Sequence, residues 1–351
     1  MAAARVMIDP SVARASPLAP SRTHAFGRVT VEWAKVRELA LKQLNHFISL
    51  EPKVLKGDDP EAVHDMRVAS RRLQQLLDLL DPEPPKEIRR LRRKIKACRR
   101  ALSEVRNCDV QLKPVEKALL RKRTSHREVQ EAIRDYLAER RSQSFDRALD
   151  KLSQVHLARA YVRLKAHFNW NRAASGQDGS GRDELPQAAT LTEELASEPF
   201  EKRVGAALEK AWYEYEAQLA TSRDDRDAPA LHRARISARR LRYLIEVLHE
   251  LGVAGSAEVL LWLRKLQQHL GDWHDLEVQE KMLVEMLARP KFLQSHLEIA
   301  MAVERLILRH RAVKKRYVDR YFGMTLDSAE SQRLKDWVGN LLSSESAASP
   351  R

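Results

Sequence analysis

The chain has 351 residues, a net charge of +14 and an isoelectric point near 9.8, a balance that favours acidic partners such as nucleic acid, anionic membranes or phosphate polymers. Glycine is scarce while Leu, Ala, Arg and Glu dominate, which predicts a helical protein. The sequence has no apolar run long enough for a transmembrane helix. The two cysteines, Cys98 and Cys108, exclude a disulfide framework and indicate reduced thiols in a cytoplasmic protein.

The first part of the chain is predicted to be helical after a disordered start. Residues 1–27 are rich in Ala, Ser, Pro and Arg, lack the apolar run of a secretory signal and are predicted to be a disordered arm. Residues 28–170 form a first helical half, in which Asp59 supplies an N-cap and Pro60 a residue suited to the first turn. Asn107 is expected to cap a separate fourth helix. The predicted helices cover about 31–47, 60–80, 86–102, 107–120 and 126–168.

The second part repeats this plan. Residues 171–197 are predicted to be a linker because their Gly-, Ser- and Asp-rich stretch breaks the helical pattern. Residues 198–325 form the second helical half and residues 326–351 a C-terminal tail. Asp227 opens a helix as Asp59 does, and Asp275 is expected to cap a helix as Asn107 does. The predicted helices cover about 198–220, 228–251, 256–270, 276–288 and 291–322.

An eighteen-residue pattern occurs twice. Val63–Leu80 reads VHDMRVASRRLQQLLDLL and Leu231–Leu248 reads LHRARISARRLRYLIEVL, and an offset of 168 residues aligns them without a gap. Seven positions are identical, of which three are arginines and one is a histidine. The same offset pairs Lys96 with Arg264. Two copies of one helical unit usually pack about a pseudo-two-fold axis with equivalent faces meeting, which predicts two cationic helices on opposite walls of one cavity.

The repeated helix carries a row of cations on one face. Positions 64, 67 and 71 are spaced i, i+3 and i+7, and the same row recurs at 232, 235 and 239. No acid lies three or four residues from these four arginines, whereas Arg242 has Glu246. Like charges at this spacing repel, so an external anion is expected to complete the row. Arginine suits phosphate because its planar fork gives bidentate hydrogen bonds. The alternative, a solvated arginine face with a satisfied histidine, fits one copy better than two copies in register.

Two further basic runs lie outside the repeat. Residues 86–100 (KEIRRLRRKIKACRR) hold nine Lys and Arg with one acid, and residues 309–316 read RHRAVKKR. Such runs are often solvated faces or loose nucleic-acid patches. Only Lys96 recurs as a basic residue in the second copy, at Arg264.

These residues resemble the CHAD family, the conserved histidine α-helical domain. The signature H-x-x-R-[VI]-x-x-R-R-L is present at His64–Leu73 and His232–Leu241, and the flanking motifs resemble Leu102–Val110 and Leu263–Asp275. The resemblance covers roughly residues 30–325. It implies an all-α fold of two four-helix bundle halves related by internal pseudo-two-fold symmetry around a basic cavity. It also implies binding of inorganic polyphosphate in that cavity, often at polyphosphate granules.

The resemblance also implies the binding residues. They are His64, Arg67, Arg71, Arg72, Lys96 and Arg106 in the first half, and His232, Arg235, Arg239, Arg240, Arg242 and Arg264 in the second. This sequence departs from the family pattern where Gln74 replaces the basic residue that matches Arg242, where Ser103 replaces glycine and where Asn107 replaces aspartate. The first departure is expected to make the cavity walls unequal in charge.

The function expected from this reading is polyphosphate binding without catalysis, cofactor or metal, in the cytoplasm and at polyphosphate granules, with no membrane partner. One alternative is nonspecific nucleic-acid binding, although an aromatic content of 6% offers few stacking platforms. The other is a metal-dependent polyphosphate or triphosphate hydrolase. The sequence shows no P-loop and no H-E-x-x-H or G-x-S-x-G motif. The candidate carboxylates are expected instead to cap helices; they are Asp109, Asp272, Asp275 and Glu277.

Overall fold

The computed structural model describes residues 33–121, 126–174, 200–326 and 328–343. These residues form α-helices joined by turns, without a strand among them, which confirms the predicted all-α class. The helices are α1 Trp33–Ser49, α2 Glu51–Lys56, α3 Pro60–Leu80, α4 Lys86–Leu119, α5 Arg127–Ser153, α6 Leu157–Ala174, α7 Phe200–Asp225, α8 Ala228–Glu250, α9 Ser256–Leu287, α10 Pro290–Ser295, α11 Leu297–Thr325 and α12 Ala329–Ser343. Within these ranges, none of the helices is long and apolar enough to cross a membrane. The predicted arm 1–27 and positions 175–197 of the predicted linker lie outside the described residues.

The two repeated helices, α3 and α8, start in the predicted way. The Oδ1 atom of Asp59 accepts hydrogen bonds from the backbone N–H groups of Glu61 and Ala62, at 2.9 and 3.2 Å. Asp227 caps α8 by accepting from the N–H of Ala230 at 2.6 Å. A proline lies in the first turn of each helix, where a missing N–H costs no hydrogen bond. The caps therefore fix both cationic rows at the same register relative to their helix N-termini.

The helices that follow, α4 and α9, are longer than predicted. Asn107 and Asp275 were expected to cap new helices, but both lie in the interior of a continuous helix. In α4 the buried residues Leu102, Val105 and Cys108 keep the helical spacing across the expected break. In α9 the helix runs through Gly271, since a helical glycine costs only about 1 kcal/mol and the apolar stripe resumes at once. The capping prediction was wrong because packing outweighed local propensity.

Other boundaries also differ from prediction. The stretch 126–168 is divided between α5 and α6, with His156 at a positive φ of 52° in the turn. The segment predicted as a C-terminal tail contains α12, which packs against α7 and α9. Leu334 and Val338 of α12 are fully buried, and the indole N–H of Trp337 donates to the carbonyl of Ala254 at 2.9 Å. The segment named as a tail therefore begins with an amphipathic helix that was not among the predicted helices.

The helices pack in the same serial order in both parts of the chain. In the first part α1 contacts α3, α3 contacts α4 and α4 contacts α5; in the second α7, α8, α9 and α11 repeat that series. Helices in equivalent places also touch one another, since α3 contacts α8, α4 contacts α9 and α5 contacts α11. A large core joins both parts, and a second apolar cluster is built from α4, α5, α9 and α11. The packing therefore brings the two repeated helices together.

The α2–α3 turn allows one prediction on stability. Gly57 has a φ of +77°, and a Cβ there would lie 2.7 Å from Cζ of Phe145. Gly57→Ala should lower the free energy of unfolding by about 3 kcal/mol, combining backbone strain with overpacking. Gly252, with a φ of +87° and open space around it, is the matched control, and Gly252→Ala should cost about 1 kcal/mol. Urea unfolding of both variants tests this, and equal losses would contradict the packing contribution.

Candidate functional site

The contact between α3 and α8 gathers arginines from both repeats. We call Arg67 and Arg71 of α3, with Arg235 and Arg239 of α8, the arginine cluster. Burial, Arg71 and other nearby cations, among them Arg235, lower the pKa of Arg67 to about 10. Burial, Arg71 and Arg235 lower the pKa of Arg239 to about 9. The two helices therefore hold like charges within each other's electrostatic reach, while the predicted cavity between them stays a prediction.

The cluster lacks internal neutralisation. Within the described part of the chain, Arg67, Arg235 and Arg239 have neither an ion pair nor a side-chain hydrogen bond, and the Nε of Arg67 is buried without a partner. Burial lowers the pKa of Arg235, and the nearby Asp275 carboxylate only partly offsets that effect. A buried N–H donor without an acceptor costs about 1–3 kcal/mol. The site therefore has donors and positive charge available for an external anion.

Tyr243 of α8 links the two rows. The Arg71 Nη1 donates to the Tyr243 hydroxyl at 3.1 Å, and the Arg71 guanidinium lies 5.6 Å from the ring centroid. Arg242 lies over the same ring at 4.4 Å. Burial raises the pKa of Tyr243, but Arg71, Arg242 and Arg239 outweigh it and leave that pKa below its usual value. Tyr243 was missed from the sequence because its counterpart in the first copy is Gln75.

His64 and Arg106 flank the cluster on the first-half side. Arg106 Nη1 donates to the Pro60 carbonyl and to Glu61 Oε1, both at 3.3 Å, which places it beside the start of α3. Burial, Arg106 and Arg67 lower the pKa of His64. At neutral pH this imidazole is therefore a neutral donor and acceptor beside two cations.

The equivalent flank of the second half contains a histidine that the sequence analysis missed. His274 of α9 lies with its ring centroid 5.2 Å from that of His232. Burial, Arg235 and His232 lower the pKa of His274 to about 3, and burial and Arg235 also lower the pKa of His232. The 168-residue offset aligns His274 with Arg106, so the signal was present in the repeat.

The other predicted residues lie apart from the arginine cluster or at its edge. Glu246 pairs with Arg242, lies 3.5 Å from Arg72 across the two repeats and lies 3.8 Å from Arg264. Arg240 is exposed and pairs with Glu214 of α7. Lys96 is exposed on α4.

Some residues of the two basic runs make local contacts. In residues 86–100, Arg92 donates to the carbonyls of Leu77 and Asp81 at 2.7 and 2.8 Å and so closes the C-terminus of α3. In residues 309–316, Arg311 pairs with Glu280 and Lys314 pairs with Glu277 and Glu280 of α9. The second run is therefore partly neutralised by an acidic face.

The carboxylates predicted as caps all lie inside α4 or α9, so that interpretation was wrong. Asp109 accepts from Arg141 Nε at 2.6 Å and is buried. Burial raises the pKa of Asp275, against the lowering effect of Arg235. Arg106, Asp109 and Asp275 line a groove of about 1100 Å³ beside the start of α3. In the described residues, no three or more His, Cys, Asp or Glu side chains are grouped to hold a metal ion.

The sequence comparison identifies the family. A family model for the CHAD domain matches residues 38–284, which is more than half of the chain. The chain therefore belongs to the CHAD domain family. Among curated proteins, none matches the chain.

Solved structures support the fold. The chain is similar to the crystal structure of the CHAD domain from the plant Ricinus communis, with 24% sequence identity and a TM-score of 0.60, over 85% of this chain and 92% of that chain. It is also similar to PptA from Streptomyces chartreusis, with 15% identity and a TM-score of 0.55, over 83% of this chain and 99% of that chain. At these identities the likeness establishes the all-helical architecture alone.

The crowded guanidinium groups predict an unusual stability effect. Arg239→Gln should raise the free energy of unfolding of the ligand-free protein by about 1 kcal/mol at low salt, because it removes a charge that burial and neighbouring arginines disfavour. The gain should shrink as salt screens the repulsion. Arg240→Gln is the matched control, since it breaks the pair with Glu214 and should bring no gain. Chemical unfolding at two salt concentrations checks this; a destabilised Arg239→Gln protein would contradict it.

Proposed function

We propose that this protein binds inorganic polyphosphate at the arginine cluster and its flanking histidines. The observation that carries the proposal is a set of arginines from both repeats that form neither an ion pair nor a side-chain hydrogen bond within the described residues: Arg67, Arg235 and Arg239. A phosphate chain supplies what these groups lack, which is a run of anionic oxygens that accept N–H hydrogen bonds. Family membership supports the proposal, since the resemblance to CHAD domains implies this ligand.

The electrostatics favour a polymer over a single anion. The cluster spans two helices. Burial and, after it, neighbouring arginines lower the pKa values of Arg67 and Arg239, and an anion would offset the effect of those neighbours. Binding several phosphates in a row would neutralise both rows at once and release the condensed counterions of the polymer, as in nucleic-acid binding. Guanidinium groups also keep their charge at the reduced pKa values, because those values remain well above neutral pH.

The histidines add hydrogen-bond donors, and the protonation of their imidazole rings would change when a polyanion binds. His64, His232 and His274 have lowered pKa values chiefly because of burial and secondarily because of nearby cations. A bound polyanion offsets the effect of the cations and so raises these pKa values. Binding is therefore coupled to proton uptake, and affinity should increase as the pH falls below neutral.

Recognition of a base-free polyanion also explains the scarcity of aromatic platforms. Tyr243 accepts a hydrogen bond from Arg71, and the imidazole rings of His232 and His274 lie against each other at the second-half flank. None of the described contacts forms a stacking surface of the kind that single-stranded nucleic acids use. Sites of this chemistry would recruit the protein to polyphosphate granules, which is the cellular role that we propose.

A paired substitution tests the site. Arg67→Ala with Arg235→Ala should weaken polyphosphate binding about a hundredfold, since each removes charge-assisted hydrogen bonds worth about 1.5 kcal/mol. Isothermal calorimetry measures the affinity and circular dichroism verifies that helicity persists. Arg159→Ala with Arg333→Ala is the matched control, because it removes two exposed cations from α6 and α12 and the same net charge. Equal losses in both proteins, or displacement of the ligand by excess tRNA, would refute a specific phosphate site.

We further propose that the site holds phosphate chains without cutting them. The cluster is rich in cations, and Asp275 is the carboxylate whose charge acts on Arg235 and Arg67 from within the site. Hydrolysis of a phosphoanhydride commonly needs carboxylates that hold metal ions against the phosphates.

Incubation with long-chain polyphosphate and Mg²⁺ should release no orthophosphate above the level of a protein-free blank. A colorimetric phosphate assay measures it, and Asp275→Asn is assayed in parallel. Release by the wild-type chain that disappears in Asp275→Asn would overturn the binding-only proposal in favour of catalysis.

A further inference from the structure

The two repeats exchange an arginine and a glutamine between neighbouring helices. In the second repeat α8 carries Arg242 and α9 carries Gln267. At the positions aligned by the 168-residue offset, the first repeat has Gln74 on α3 and Arg99 on α4. One guanidinium and one amide are therefore present in each half, on opposite members of the helix pair. Considered without Arg99, the glutamine at position 74 predicted one positive charge fewer in the first half than in the second.

The side chains show that Arg99 reaches the place that Gln74 leaves open. Arg99 Nη2 donates to Gln74 Oε1 at 2.8 Å, and Nη1 donates to the Ser70 carbonyl at 3.4 Å. Burial and Arg71 lower the pKa of Arg99 to about 10, while Asp78 and Tyr243 act in the opposite direction. The guanidinium of Arg99 therefore lies in the electrostatic field of the arginine cluster although it comes from α4.

An acid also recurs at the aligned position. Arg242 pairs with Glu246 in the second repeat. The offset aligns Glu246 with Asp78. Asp78 pairs with Arg92 at 3.2 Å and acts on Arg99 through its charge alone. Of the five N–H donors in a guanidinium, Arg99 uses two in the contacts described above, so donors remain for a ligand.

We propose that Arg99 is a polyphosphate-binding residue that takes the place of the missing arginine at position 74. The site then presents three guanidinium groups from each half: Arg67, Arg71 and Arg99 from the first, and Arg235, Arg239 and Arg242 from the second. Apart from Arg106, which aligns with His274, the two sides then have equal numbers of arginines, and Arg99 makes up the charge that is absent at Gln74. This inference rests on the proposed function, because it names a further residue of the same site.

Three variants test the exchange. Arg99→Gln should weaken the binding of defined-length polyphosphate about tenfold, the loss of one charge-assisted contact. Adding Gln74→Arg to Arg99→Gln rebuilds the arrangement found in the second repeat, and this double variant should recover most of the affinity. Arg93→Gln is the matched control, since it removes one exposed charge from the same helix and should change affinity less than twofold. Thermal unfolding verifies that each protein is folded.

The outcomes separate the inference from the proposed function. If the wild-type protein does not bind polyphosphate, the proposed function is itself wrong. If wild type binds, and Arg99→Gln binds equally well, Arg99 is not a ligand-binding residue. A double variant as weak as Arg99→Gln shows that position 74 cannot supply the guanidinium and overturns the exchange. Equal losses in Arg99→Gln and Arg93→Gln assign the effect to net charge alone.

Discussion

Repulsion among guanidinium groups that are held together by an apolar core is the constraint on which the site depends. α3 and α8 bury leucines on one side, including Leu73 and Leu241, and expose their arginines to each other on another. The core fixes the helices, so Arg67 and Arg239 cannot separate to relieve their charges. Burial and mutual repulsion then lower their pKa values to about 10 and about 9. The crowded arginines therefore lower the free energy of unfolding of the ligand-free protein, and a bound anion would raise it again.

The same arrangement accounts for the few acids near the cluster and for where they lie. Glu246 pairs with Arg242 and approaches Arg72 and Arg264, so the outer part of the cationic region is partly neutralised. The inner part is not, and it is flanked by imidazoles that burial keeps neutral. A ligand with closely spaced negative charges would gain most by reaching the inner arginines. Under the proposed function, this difference between a partly neutralised edge and the centre would direct a bound anion inward.

Much of this could be predicted from the sequence because the repeat preserves charge as well as apolar spacing. The all-helical fold follows from composition and periodicity, and the caps at Asp59 and Asp227 follow from local hydrogen-bonding chemistry. The proximity of Arg67 and Arg235 followed from pairing two equal units. The division of the chain into halves and a linker, and the pseudo-two-fold relation between the halves, remain predictions.

The wrong or missing predictions arose where a residue was interpreted without its packing partners or its counterpart in the other repeat. Asn107 and Asp275 are good cap residues, but buried neighbours carry α4 and α9 through them. His274 aligns with Arg106 across the 168-residue offset, so the repeat already indicated it. Arg99 on the neighbouring helix supplies the charge that is absent at Gln74, and it contacts that residue. Tyr243 aligns with Gln75, a residue of different chemistry, so a comparison of the repeats does not identify it. Its contact with Arg71 requires the two helices to be packed.

The most direct test of the electrostatic account is a calorimetric titration of the wild-type protein with polyphosphate of one defined length at two salt concentrations. The account predicts saturable binding at low salt and a large loss of affinity at the higher concentration, because counterion release drives association. Absence of binding at low salt, or an affinity that does not change with salt, would contradict it.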